Sequence, residues 1–175
     1  FPMPHFTLLH HREFSQDYQG FAWTEFALVG DGQEDADQIV EAFIHSTAYT
    51  YDGLYDCIKA KPNSGYLERA FDFDVAGLAD FKKTDNAGAC KFLLDFKEEG
   101  FWGEAVNQYA KLLECYFEIH DKNSNAEFYI ISKDWFVSGD PKVFEPQAWC
   151  YTYYFLIISV DLISGTLVLS EWSYD

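Results

Sequence analysis

Hydrophobic positions near the N-terminus recur with a period of two. Residues 6–11 (FTLLHH) and 21–29 (FAWTEFALV) read as strands. In the second, Phe21, Trp23, Glu25, Ala27 and Val29 share one face, and Ala22, Thr24, Phe26 and Leu28 share the other. Apolar groups on both faces predict a strand covered on both sides over at least part of its length. Gly30-Asp31-Gly32 ends it, and Asp31 with Glu34 three residues on reads as a capping-box start. The period then becomes helical. Ala36, Ile39, Val40, Phe43 and Ile44 fall on one face. Glu34, Asp35 and Asp37 crowd the first turn, where the helix dipole favours acids.

The middle of the chain reads mainly as helix. Residues 49–51 fit a short strand or a turn, residues 53–61 a short helix, and residues 66–83 one or two more. Asp85 caps a helix whose apolar face is Ala89, Phe92, Leu93 and Phe96, with Gly100 as its stop. Residues 104–120 carry the clearest helical pattern, with Tyr109, Leu112, Leu113, Tyr116 and Phe117 in register. The short link Gly100-Phe101-Trp102-Gly103 predicts that these two helices form an αα-hairpin, with the two aromatics stapled inside it.

Strand periodicity returns at residues 127–132 (EFYIIS), 151–160 (YTYYFLIISV) and 166–172 (TLVLSEW), the last two joined by a hairpin turn. The middle segment is apolar on both faces and reads as a central strand. Strands at both ends with helices between predict an α+β fold in a single domain spanning residues 1–175. The expected architecture is a mostly antiparallel sheet of about five strands with a C-terminal β-meander. The αα-hairpin and further helices pack on it.

Composition sharpens this picture through charge. The 29 acids and 12 bases leave a formal net charge of −17. A small domain stays soluble at roughly 2–8 charges. The excess repels phosphates and anionic headgroups, which disfavours direct nucleic-acid or membrane binding. It favours steered association with a basic protein. Residues 1–60 hold ten acids and two bases, 61–120 eleven and seven, and 121–175 eight and three, so the charge is spread rather than gathered in a tail. Aromatics are also abundant, at 17 Phe, 12 Tyr and 5 Trp.

The chemistry-bearing residues form no catalytic motif. Cys57, Cys90, Cys115 and Cys150 match no zinc or redox spacing. They read as buried free thiols, which suggests a reducing, cytoplasmic setting, with two disulfides as the alternative that the even count allows. No apolar stretch reaches the length of a membrane span. Asp121-Lys122-Asn123-Ser124-Asn125 begins like a calcium loop but lacks its glycine and final glutamate, and reads as a turn. His10 and His11 would face opposite sides of a strand, and His45 pairs with Glu41 at helical spacing. The nucleophile-elbow and phosphate-loop patterns are missing. The expectation is a non-enzyme without metal or cofactor.

Residues 133–150 (KDWFVSGDPKVFEPQAWC) are the most distinctive segment. Long irregular loops are often functional, and this one carries Trp135, Phe136, Phe144 and Trp149. Either these aromatics anchor a partner or they fold back over the sheet edge. In composition and class the chain is similar to small acidic bacterial immunity or inhibitor proteins. That resemblance implies neutralisation of a toxin or nuclease by covering its basic site. The expected partner surface is Glu34, Asp35, Asp37, Trp135, Phe136, Asp140, Phe144 and Trp149, with acids steering and aromatics anchoring. A DNA-mimic version would use spaced carboxylates in place of phosphates. The alternative is a ligand-binding or hydrolytic domain for a sugar-like substrate, with a pocket around Trp23 and Tyr153.

Overall fold

Alternation and helical periodicity both carry through into the structure, a computed structural model that describes residues 4–49, 70–98, 104–143 and 152–174. The strands are β1 (His5–Gln16), β2 (Gln19–Val29), β3 (Lys82–Thr84), β4 (Glu127–Ser132), β5 (Tyr153–Asp161) and β6 (Thr166–Tyr174). The helices are α1 (Ala36–Ile44), α2 (Asn86–Glu98) and α3 (Ala105–Ile119). All six strands form one antiparallel sheet in the order β1-β2-β6-β5-β4-β3. The fold is therefore α+β, and the expected C-terminal meander β4-β5-β6 lies at the centre of the sheet.

Helices cover both faces. On one, α1 presents Ile39, Val40, Phe43 and Ile44 to a core that takes Tyr154, Leu156 and Ile158 from β5. On the other, α2 and α3 bury Leu93, Tyr109, Leu112 and Tyr116 against Tyr153, Phe155 and Ile157 from the same strand. Alternate residues of β5 thus feed two cores, which is why its sequence is a continuous apolar run. Trp172 of β6 is fully buried in the second core. It stacks on Phe21 at 4.5 Å and on Phe155 at 5.6 Å. Its Nε1–H donates to Ser170 Oγ at 2.6 Å, so the indole enters the core with its polar atom satisfied.

The helices touch through Tyr109, whose hydroxyl donates to Leu93 O at 2.8 Å. The glycine-flanked link with Phe101 and Trp102 lies outside the described residues, as do the expected helix at 53–61 and Cys57 and Cys150.

Three differences from the sequence reading have physical causes. First, the described residues hold six strands, in keeping with the expected count of about five, and one of them has no counterpart in the sequence pattern. The additional one, β3, is Lys-Lys-Thr, an edge strand with no apolar alternation to reveal it; edge lysines also discourage further pairing. The described part of residues 66–83 holds this strand and a single 3-10 turn, Leu78–Asp80. Second, α1 is capped by Asp35 rather than Asp31. Asp35 accepts from Gln38 N at 2.9 Å, and Gln38 Oε1 accepts from Asp35 N at 3.0 Å, a complete capping box. Asp31 instead accepts from Gln33 N, closing the preceding turn. Third, β1 runs five residues past the apolar pattern. Its register shifts between Leu8 and His10. The bulge moves Phe6 and Phe14, which share a parity, onto opposite faces: Phe6 meets Phe43 of the first core, and Phe14 stacks on Phe21 of the second.

Candidate functional site

The described residues among those expected to form one partner surface sit at two ends of the sheet. β4 pairs Glu127 with Val160 at one end and Ser132 with Phe155 at the other. Five residues of strand separate these ends, about 17 Å. Asp37 lies at the Glu127 end. Its Oδ1 accepts from Lys83 Nζ at 2.7 Å and from the Tyr129 hydroxyl. Lys83 also pairs with Glu127 at 2.9 Å. The lysine and the phenol hold the Asp37 carboxyl below the usual carboxylate range, and the two acids raise the lysine. Asp37 is thus engaged in joining α1 to β3 and β4. Asp35 is exposed and caps α1, and Glu34 is half-buried, its carboxylate lying beside Gly30.

Trp135, Phe136 and Asp140 follow Ser132 and belong to the opposite end. Trp135 closes a 3-10 turn, Lys133–Trp135, and packs against both cores. Its ring meets Phe92 edge-on at 6.3 Å, and Lys82 Nζ stands 4.0 Å over its centre. Phe136 packs edge-on to Phe71 at 6.0 Å. Asp140 accepts from Lys142 N at 2.9 Å, holding a turn. This half of the loop folds back along the sheet rather than standing free. Phe144 and Trp149 lie outside the described residues. Of the residues named for the alternative pocket, Trp23 meets Tyr116 edge-on at 5.7 Å, and buried Tyr153 donates to Gln19 Oε1 at 2.9 Å.

Sequence reasoning passed over the apolar tip at the acidic end. The β5–β6 turn exposes Leu162 and Ile163, the latter 88% accessible. Leu28 N donates to Gly165 O at 2.8 Å, which ties this turn to the end of β2, where Val29 is also exposed. Asp161 folds the turn by accepting from Ile163 N and Ser164 N. Those amides hold its carboxyl below the usual range. Two consecutive aliphatics inside a hairpin turn were the available signal, because turns normally favour small polar residues. The tip thus shares one end of the sheet with Asp161, Glu34 and Asp35.

A second constellation joins residues far apart in the sequence. His120 Nε2 lies 2.6 Å from Asn86 Oδ1 and 3.8 Å from Cys90 Sγ. Asn86 Nδ2 donates to Lys122 O, which turns Oδ1 toward the imidazole. The proton therefore resides on Nε2, and that nitrogen cannot accept one from the thiol. Burial also pushes the Cys90 thiol up and His120 down. A nucleophile needs the reverse. The cluster locks the start of α2 to the end of α3. Elsewhere, His11 contacts Thr24 and Glu13, and His45 pairs with Glu41 at 3.3 Å as its helical spacing predicted. Asp121 accepts from Asn123 N in the expected turn. Among the described residues no three His, Cys, Asp or Glu converge as a metal site, and no helix is long and apolar enough to cross a membrane.

The fold and this surface define an α+β protein with one antiparallel sheet covered by helices on both faces. No protein-family model matches the chain, and no curated protein and no solved structure matches it.

Proposed function

We propose that this chain is an acidic protein-binding module of the immunity or inhibitor type, which neutralises a basic partner by occluding its working surface. The observation that carries the reading is the exposed aliphatic tip, Val29, Leu162 and Ile163, on the same end of the sheet as Glu34, Asp35 and Asp161. An apolar centre with a charged surround is the usual anatomy of a protein interface. The net charge of −17 steers a cationic partner toward it. Of the residues expected from sequence, Glu34 and Asp35 belong to this surface. Trp135, Phe136 and Asp140 lie at the far end of the sheet. A toxin or a nucleic-acid-acting enzyme fits the required charge.

The experiment compares two baits in a lysate of the source cell: the wild type and the double variant Glu34→Lys, Ile163→Asp. The expected result is a basic protein retained by the wild type alone. Its association rate, measured on the purified pair, falls steeply between about 0.02 M and about 0.2 M salt. A retained protein without excess positive charge, equal retention by both baits, or a rate independent of salt overturns the reading.

A further inference from the structure

A cavity of about 650 Å³ opens between α2 and the β3–β4 edge of the sheet. Its size falls within the range of small-molecule sites. Phe92 and Phe96 of α2 form one wall, Ile130 of β4 the floor, and Trp135 one end. Lys82, Thr84 and Ser132 supply the polar positions. The charges lining it are unequally engaged. Asp95 is paired with Lys91, and Asp134 lies 4.0 Å from Lys133 Nζ. Lys83 is held by Asp37 and Glu127. Lys82 has no carboxylate within 4.0 Å among the described residues, and its ammonium rests over the Trp135 ring. Ser132 is 1% exposed. Its Oγ accepts from Asp134 N at 3.4 Å and donates to no described residue.

We infer that this cavity binds a small organic acid: an aromatic or similarly flat apolar body ending in a carboxylate. The acid group meets the Lys82 ammonium and accepts a hydrogen bond from the Ser132 hydroxyl, a charge-assisted pair of contacts. The body lies against Phe92, Phe96 and Ile130. The net charge of the chain repels anions at long range, so recognition depends on these short contacts rather than on steering. The site is separate from the proposed partner surface, which lies at the other end of β4.

The probe is naphthoate, with naphthylmethanol and naphthylmethylamine as uncharged and cationic counterparts, titrated calorimetrically into the full chain. Naphthoate is expected to bind with a dissociation constant below about 1 mM and at least about tenfold more tightly than either counterpart. Lys82→Gln is expected to lose about tenfold, while Lys111→Gln, an exposed lysine on α3, leaves binding unchanged. Because Lys82 is itself exposed, its replacement leaves the core intact. An NMR titration gives an independent readout in the wild type, where naphthoate shifts the Trp135 indole N–H. Equal binding of the three probes, unchanged affinity in Lys82→Gln, shifts confined to other tryptophans, or no binding at about 10 mM overturns the inference.

Discussion

His120 stands with Nε2 3.8 Å from Cys90 Sγ, yet its hydrogen bond goes to Asn86 Oδ1 at 2.6 Å. The ring is buried, stacked on Tyr116 at 5.1 Å and edge-on to Phe128 at 5.9 Å. Burial lowers its pKa, with Asp121 opposing the shift in part. The folded state therefore refuses a proton that the unfolded chain accepts. Above about pH 6.5 both states are neutral and the contribution to stability is complete; below it, stability falls as pH falls. Urea unfolding at about pH 7.5 and about pH 5.5 should show a larger loss for the wild type than for His120→Gln. The carboxylates are common to both proteins, so an equal loss would show that His120 takes no part.

Gly88 sets how closely α2 approaches β3. A Cβ at this position would lie 1.8 Å from Thr84 Oγ1 and 3.0 Å from Thr84 Cβ. Alanine is the better helix former by about 1 kcal/mol, but the contact reverses that advantage. Gly88→Ala is expected to cost about 1–3 kcal/mol in denaturant unfolding. Thr84→Ala should recover much of the loss when the two are combined. Simple additivity in this double-mutant cycle would remove the steric explanation.

Gln19 is buried where β2, β5 and α3 meet. Its Nε2 donates to Ala105 O at 2.8 Å, and its Oε1 accepts from the Tyr153 hydroxyl at 2.9 Å. Gln19→Leu keeps the volume and removes both contacts. The expected cost is about 1–3 kcal/mol for the stranded polar groups. Combining it with Tyr153→Phe should show coupling between the two positions in thermal or urea unfolding. A neutral Gln19→Leu would mean that water or relaxation satisfies both partners.

The elements that sequence revealed are those whose signal is local. The buried face of α1 and the two-sided burial of β5 follow from spacing alone, and both appear as read. Asp31 with Glu34 and Asp35 with Gln38 both fit a capping box by spacing, and the structure realises the second, four residues further on. β3 and the outer half of β1 escaped because edge strands are solvent-exposed and their polar side chains carry no alternation.

The arrangement of the candidate residues was not legible in the sequence. Glu34 and Asp35 share an end of the sheet with the aliphatic tip. Sequence offers no signal that separates anchor from cover for Trp135 and Phe136, and both pack against the cores. Nothing in the spacing of Cys90 and His120, thirty residues apart, foretold their meeting.

By itself, the sequence determined the period of most segments, which faces are apolar and an anionic charge spread over the whole chain. These depend on neighbours along the backbone or on simple counting. The tertiary structure decided strand order, the bulge that sends Phe6 and Phe14 to different cores, and the separation of the acidic end from Trp135 and Phe136. It also brought Lys82 over Trp135 beside a cavity. Those outcomes depend on pairing between distant segments, where shifting the register by one residue exchanges the faces of a strand.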